Sequence, residues 1–525
     1  MDVLDAADRR FGWHPFTQMR EYQDNPRLHL VRGEGSWLID GEGQRYLDGN
    51  ASVWTNVHGH NDPDLNRALQ EQLSQVAHVT LLGLNHPVAT GLTEDLATLT
   101  GGALPRCFFT DNGSNAVEVA LKLSFQYWQL VGKESKRGVI SMEGAYHGDT
   151  FGTMSVGGRS EFHERFAPWL FAAQTFPAPV HSECAGQVAH SDSTASLTAL
   201  EARLVRDAAT TACVILEPRV QGAAGMVQQP AGFVKAVAAL CRQHGVHLIL
   251  DEVFTGFGRL GALTVAELEG VVPDFLCLAK GLAAGYLPLA ATLTSEKIYE
   301  AFLGKFSEGK TFFHGHTFSG NPLGCAVARA SLRKLRPMLA SGQVAERADL
   351  LGREMAAAFA GHPHVRTFRQ VGLTGSVEFK PVAAERWPTD TRAGYGAPER
   401  VAREGMAMEE GLTFGELSEE GFVDLFRRQR RGERQVTSGE ALREAEEVRH
   451  DACQLGDGQG TKTTKAREDF VQDEVHAVLT AQGGDRLHET SGLLDHPGGA
   501  LHARLQDNAG GRGGIADQEG FERSE

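Results

Sequence analysis

The chain has 525 residues, enough for two or three domains, and its 41% apolar and 22% charged content is sufficient for a large core. Its 51 Lys and Arg against 67 Asp and Glu leave a net charge of −16, which argues against nucleic acid or an anionic membrane as the main partner. Seven scattered cysteines without a CxxC pair, no leading apolar run and no apolar stretch of 18 residues imply no disulfide framework, no metal and no membrane span, hence a reduced, cytoplasmic enzyme.

Residues 1–60 read as short strands and turns. Leu28–Val31 and Ser36–Ile39 alternate in polarity, with GEG between them and DGEG after, which predicts an antiparallel hairpin or meander. From 61 to about 325, short apolar runs alternate with helical patterns. The runs are CFFT (107–110), GVISM (138–142), ACVILEP (212–218), VHLILDEV (246–253) and DFLCLAK (274–280). Asn115–Trp128, Gly232–His244 and Ser295–Phe302 read as helices between them. Continuous apolar runs separated by helices predict buried parallel strands in an α/β domain. A helix at Ala326–Leu335 and one alternating strand, VGLTGSVEF (371–379), follow and predict a smaller α+β unit.

In LILDEVFTGFGR (248–259), Asp251 and Glu252 end a buried strand, at the edge where open α/β sheets bind ligands. Asp251 equally fits a simple strand-end cap. Lys280 in LAKGLAAGYLPLAA (278–291) follows another apolar run and is the one lysine between Lys235 and Lys297. Burial there favours its neutral, nucleophilic form. A nucleophilic lysine with a carboxylate on a neighbouring strand suits pyridoxal 5'-phosphate: the lysine forms the Schiff base and the carboxylate keeps the pyridine nitrogen protonated. Asn112-Gly113-Ser114 precedes a helix, whose N-terminal amides favour a phosphate; an ordinary cap by Asn112 or Ser114 is the competing reading. Thr317 in HGHTFSGNP (314–322) offers a further hydroxyl. GAYHGDT (144–150) presents Tyr146, which can stack on a ring, and His147; a core tyrosine in a turn reads the same way.

In order and spacing, DNGSNAVEVALK, GAYHGDT, LDEVFTGFGR, LAKG and HGHTFSGNPLGCA resemble the class III pyridoxal-phosphate aminotransferases, over about residues 10–395. WHPFTQM (13–19), SVWTNVHGHNDPDLN (52–66) and VTLLGLNHP (79–87) are similar to the branch that converts 8-amino-7-oxononanoate to 7,8-diaminononanoate in biotin biosynthesis. The resemblance implies an α/β fold of type I. A mostly parallel seven-stranded sheet flanked by helices would occupy the large domain, 61–325, and residues 1–60 with 326–395 would form a small α+β domain. It implies Lys280 as the Schiff-base lysine and Asp251 as partner of the pyridine nitrogen. Gly113, Ser114 and Thr317 hold the phosphate, Thr317 from the neighbouring subunit of a homodimer. Tyr146 stacks on the ring and touches substrate, with His147 and His316 beside the cofactor. Trp54, Gly315 and His316 line the substrate pocket together with Phe16, which stands where some members have tyrosine. Glu217 in LEPRVQG matches an acid near the site. The implied donor is S-adenosylmethionine, or lysine in some relatives; another class III activity, of ω-amino acid:pyruvate type, is the alternative.

From Gly396 to Glu525 the texture changes: one isoleucine, Ile515, and neither tryptophan nor tyrosine. The family's Arg-Pro segment, whose arginine binds the oxononanoate carboxylate, is absent; EGLTFGELSEEGFVDLF (410–426) stands in its place. This composition matches a GC-rich gene read out of frame, so the expectation is a frameshift near codon 396 and an unstructured tail. A lineage-specific extension is the alternative, and an inactive product is the consequence if the lost segment is essential.

Overall fold

The computed structural model of the chain describes residues 2–24, 28–158, 161–184 and 187–379. The expected tail, 396–525, and the segment 410–426 lie outside the described residues. Seven strands form the central sheet: β1 (Arg106–Thr110), β2 (Gly138–Met142), β3 (Gln174–Phe176), β4 (Thr211–Leu216), β5 (His247–Asp251), β6 (Phe275–Leu278) and β7 (Ala290–Thr294). Their spatial order is β1-β7-β6-β5-β4-β2-β3. β7 runs antiparallel to both its neighbours, and the other pairs are parallel. This is the mostly parallel seven-stranded sheet expected.

β4, β5, β6 and β7 are buried at every residue. Both faces of such a sheet are covered, so the strands are apolar throughout rather than alternating. Leu248 and Leu250 face a core built with helices Pro87–Ala97, Phe233–His244 and Pro322–Ala340. Ile249, between them, faces the opposite core, against helix Gly113–Leu130. The pleat thus leaves the carboxyl ends of β4, β5 and β6 as one open edge.

The N-terminal meander is present as Leu30–Glu34, Trp37–Asp40 and Arg45–Leu47, all antiparallel. Two short helices, Asp2–Phe11 and Met19–Asp24, precede it where strands and turns were expected. The single strand expected at 371–379 is instead the second arm of a hairpin, Val365–Val371 with Thr374–Phe379. Gly372 makes the turn at φ +55°, a conformation only glycine adopts without strain. A further hairpin, Val180–Cys184 with Gln187–Asp192, pairs with Val365–Val371 through Gln187 and Phe368. A segment inside the 61–325 stretch therefore joins the sheet of the C-terminal one.

Candidate active site

Register places the chemistry. Leu216 of β4 lies opposite Leu250 of β5, and Asp251 lies opposite Cys277 of β6. Glu217 follows Leu216, Asp251 ends β5 and Lys280 lies two residues past the end of β6, so the three emerge from adjacent strand ends. All three line one cavity of about 450 Å³ together with Trp54, Gly113, Ser114, Tyr146 and His147.

Lys280 opens a short 3₁₀ turn, Lys280–Ala283, with φ +42°. Such a backbone is strained for a lysine and directs the chain sharply at the strand end. Burial lowers its amine from 10.5 to about 8; the negative charges of Asp251 and Glu217 hold it up, and Arg259 pushes it down. The ammonium nitrogen lies 4.9 Å from the Trp54 ring centre.

Asp251 is buried and held at both oxygens. His147 Nδ1 lies 2.7 Å from its Oδ2, and Val253 N–H donates to Oδ1 at 3.1 Å. A carboxylate fixed this way is aimed, and it favours a protonated nitrogen placed before it. Glu217 accepts from the amides of Tyr146 and Gly222 at 3.0 and 2.9 Å. Burial raises its carboxyl to about 7, with His147 opposing and Asp251 adding to the shift.

A cradle suited to an anion is built locally. Asn112 caps helix Gly113–Leu130 by accepting from Asn115 N–H at 3.0 Å, so the cap role falls to Asn112. Ser114 is left to accept from Asp149 N–H at 3.4 Å at the cavity edge. The first amides of an 18-residue helix have no intrahelical partner and carry its positive end. Two glycines keep the cradle open. A Cβ on Gly113 would stand 2.6 Å from Val253 Cγ1, and one on Gly148, at φ +122°, would overlap the Ser114 hydroxyl.

Val253, Phe254 and Tyr286–Leu289 complete the lining and were not singled out in the sequence. Val253 and Tyr146 line the same space. An amine, an aimed carboxylate and an anion cradle fit pyridoxal phosphate. Phe16, Gly315, His316 and Thr317 do not line this cavity. Phe16 is 46% exposed. His316 Nδ1 is paired at 2.9 Å with Asp111, which does line it, and Thr317 is exposed beyond.

The profile of the family described as "Aminotransferase class-III" matches residues 18–416, past residue 395 where the resemblance was expected to stop. "Adenosylmethionine-8-amino-7-oxononanoate aminotransferase" of Geobacter sulfurreducens is 46% identical over 396 residues, 75% of this chain and 87% of the relative. The protein of the same name in Nitratidesulfovibrio vulgaris is 42% identical over 401 residues, 76% of this chain and 73% of the relative. Among solved structures, the one of that name from Methanocaldococcus jannaschii superposes with a TM-score of 0.70 at 34% identity, covering 85% of this chain and 99% of the other. An (S)-enantioselective omega-transaminase from Thermomicrobium roseum gives 0.70 at 32% identity, covering 81% and 98%.

Proposed function

The chain belongs to the class-III aminotransferase family, and from that premise we propose that it aminates 8-amino-7-oxononanoate to 7,8-diaminononanoate with pyridoxal 5'-phosphate. The observation that carries this is the convergence of Lys280, Asp251 and the Gly113 helix terminus on one cavity. The names of the relatives support the keto substrate and S-adenosylmethionine as the donor.

Lys280 would hold the cofactor aldehyde, Asp251 the ring nitrogen, Gly113 and Ser114 the phosphate, and Tyr146 with Val253 the ring faces. When bound, the cofactor supplies an exchangeable carbonyl and a ring that withdraws electrons from the donor carbon. With its amine lowered to about 8, Lys280 is partly free base near neutral pH and can take a proton from that carbon and return it. Trp54 and Phe254, ring centres 4.7 Å apart and edge to face, form an apolar wall that excludes water. The Tyr146 hydroxyl donates to Asp149 at 2.8 Å, which fixes its ring beside the cavity.

We also read the enzyme as a cytoplasmic homodimer with Thr317 reaching the neighbouring subunit's phosphate. Among the described residues no helix is long and apolar enough to cross a membrane. Mixing Lys280→Ala with Thr317→Ala protein tests the sharing: one site of each heterodimer then carries neither lesion, and activity returns.

Borohydride reduction of the purified holoprotein, followed by peptide mapping, should place the cofactor on Lys280. A label on Lys235 or Lys297, or none, sinks the site. Product analysis should show diaminononanoate; amination of pyruvate without the oxononanoate assigns the ω-amino acid activity instead.

A further inference from the structure

Ala51, Ser52, Val53 and Trp54 all have positive φ: +53°, +49°, +59° and +67°. Four consecutive left-handed residues, none of them glycine, form one left-handed turn. Each is disfavoured because its Cβ crowds the next carbonyl, and a β-branched valine suffers most. Such backbone persists only where the surroundings over-determine it.

Asn50 Oδ1 accepts from Val53 N–H at 3.2 Å, and the main side-chain hold is Asp48, buried behind the turn. Its Oδ1 accepts from Ser52 N–H at 2.9 Å, and its Oδ2 accepts from the Ser52 hydroxyl at 2.7 Å. His60 Nε2 lies 2.8 Å from the same oxygen and steadies the carboxylate from outside. Asn56 Nδ2 donates to Ser52 Oγ at 3.3 Å, in space that Gly285 leaves free for it. On the far side Arg259 donates to the Trp54 carbonyl at 2.5 Å.

Packing holds only the Trp54 end of the turn, where the indole meets Phe254 edge to face; Val53 is 55% exposed. A second cavity of about 310 Å³ backs the turn, lined by Asp48, Ala51, Asn56 and His60, while Trp54 faces the active-site cavity. The rest of the turn lies between two spaces, so there it is held by hydrogen bonds. We infer that Asp48 is a positioning residue: by holding this left-handed turn it sets the Trp54 indole against the Lys280 amine. The functional half of this rests on Lys280 being the reacting amine.

The test joins a geometric readout to a kinetic one. Acrylamide quenching of Trp54, taken as the difference between each protein and its Trp54→Phe counterpart, needs no activity. Asp48→Asn should raise that quenching at least about twofold. In the holoenzyme, with S-adenosylmethionine as donor, kcat/KM should fall about tenfold to hundredfold, the scale expected for an ångström of misplacement. The double variant Asp48→Asn/Trp54→Phe should be no slower than Trp54→Phe alone. Val53→Gly added to Asp48→Asn should recover at least about threefold, since glycine takes positive φ freely. Should Asp48→Asn not fold, Ser52→Ala removes the two hydroxyl contacts but keeps the Ser52 amide on Asp48, and must move both readouts less, in the same directions. Unchanged Trp54 quenching, or losses that multiply in the double variant, overturn the inference. Failure of the Lys280 assignment shows separately, as a borohydride label elsewhere with the Trp54 signal still dependent on Asp48.

Discussion

Replacing Asp251 by Asn separates two effects that act on Lys280 in opposite directions. Burial lowers the Lys280 amine to about 8, and Asp251 is the largest of the three carboxylates, with Glu217 and Asp149, that oppose this. At pH 7 an amine titrating near 8 is about 9% free base, whereas a lysine at 10.5 is about 0.03%, so Lys280 should react roughly 300-fold faster than an exposed lysine of equal intrinsic reactivity. Asp251→Asn removes a charge that favours the ammonium, so the free-base fraction should rise further. Transamination should nevertheless fall by ~10²–10⁴, because the ring nitrogen loses its carboxylate partner. Geometry adds to the loss. Asp251 accepts from both the Val253 amide and the His147 ring, and asparagine offers one acceptor oxygen where there were two. Competitive labelling of apoprotein with trace acetic anhydride from pH 6 to 10, read by peptide mass spectrometry, measures the first effect. Lys280 should reach half its maximal labelling near pH 8 in the wild type and lower in the variant. Labelling of Lys280 in step with Lys235 and Lys297, with a midpoint above 10, refutes the argument, as does an upward shift in Asp251→Asn.

Gly148→Ala should weaken pyridoxal phosphate binding about tenfold to hundredfold, because the new Cβ displaces the Ser114 hydroxyl from the cradle and φ +122° is strained for alanine; an absorbance titration within twofold of wild type contradicts this. Glu252 accepts from the Val265 and Ala266 amides at 2.6 and 2.7 Å, and burial raises its carboxyl from 4.5 to about 7. Between those values the folded state keeps a proton the unfolded chain has released, so stability falls as pH rises through the window. Glu252→Gln removes the titration, at a pH-independent cost of one lost acceptor, so its stability relative to wild type should rise by on the order of 3 kcal/mol between pH 4.5 and 7.5 in urea titrations, and an unmoving gap counts against it.

Much of the fold could be read because burial on two faces leaves a plain mark. GVISM is β2 residue for residue, and VHLILDEV contains β5 whole. β7, AATLT, escaped because alanine and threonine give neither an apolar run nor an alternation. The hairpin turn was read as part of one strand, 371–379, because it holds Gly372 and Leu373, and leucine is no turn former. The short helices before residue 25 have few buried residues to impose a helical period, so nothing in the pattern distinguished them from turns.

The site was legible where polarity contradicts its surroundings. A lysine or carboxylate at the end of a buried strand is costly, so Lys280 and Asp251 stood out against their own strands, whereas Glu217 came only from the family resemblance. Val253 and Phe254 line the same cavity yet look like core, because an apolar residue carries no sign of whether it faces protein or ligand. The Ala51–Trp54 turn is harder still. Left-handed backbone is normally announced by glycine or asparagine, but here Gly49 and Asn50 precede the turn and the four residues within it carry none. Besides Asn50, the turn is bonded by an aspartate three residues upstream, which a histidine six residues downstream contacts. Sequence spacing cannot show that these two meet over Ser52; only the folded chain brings Asp48 and His60 within 2.8 Å. The active-site geometry therefore depends in part on residues whose chemistry, taken one by one, pointed nowhere.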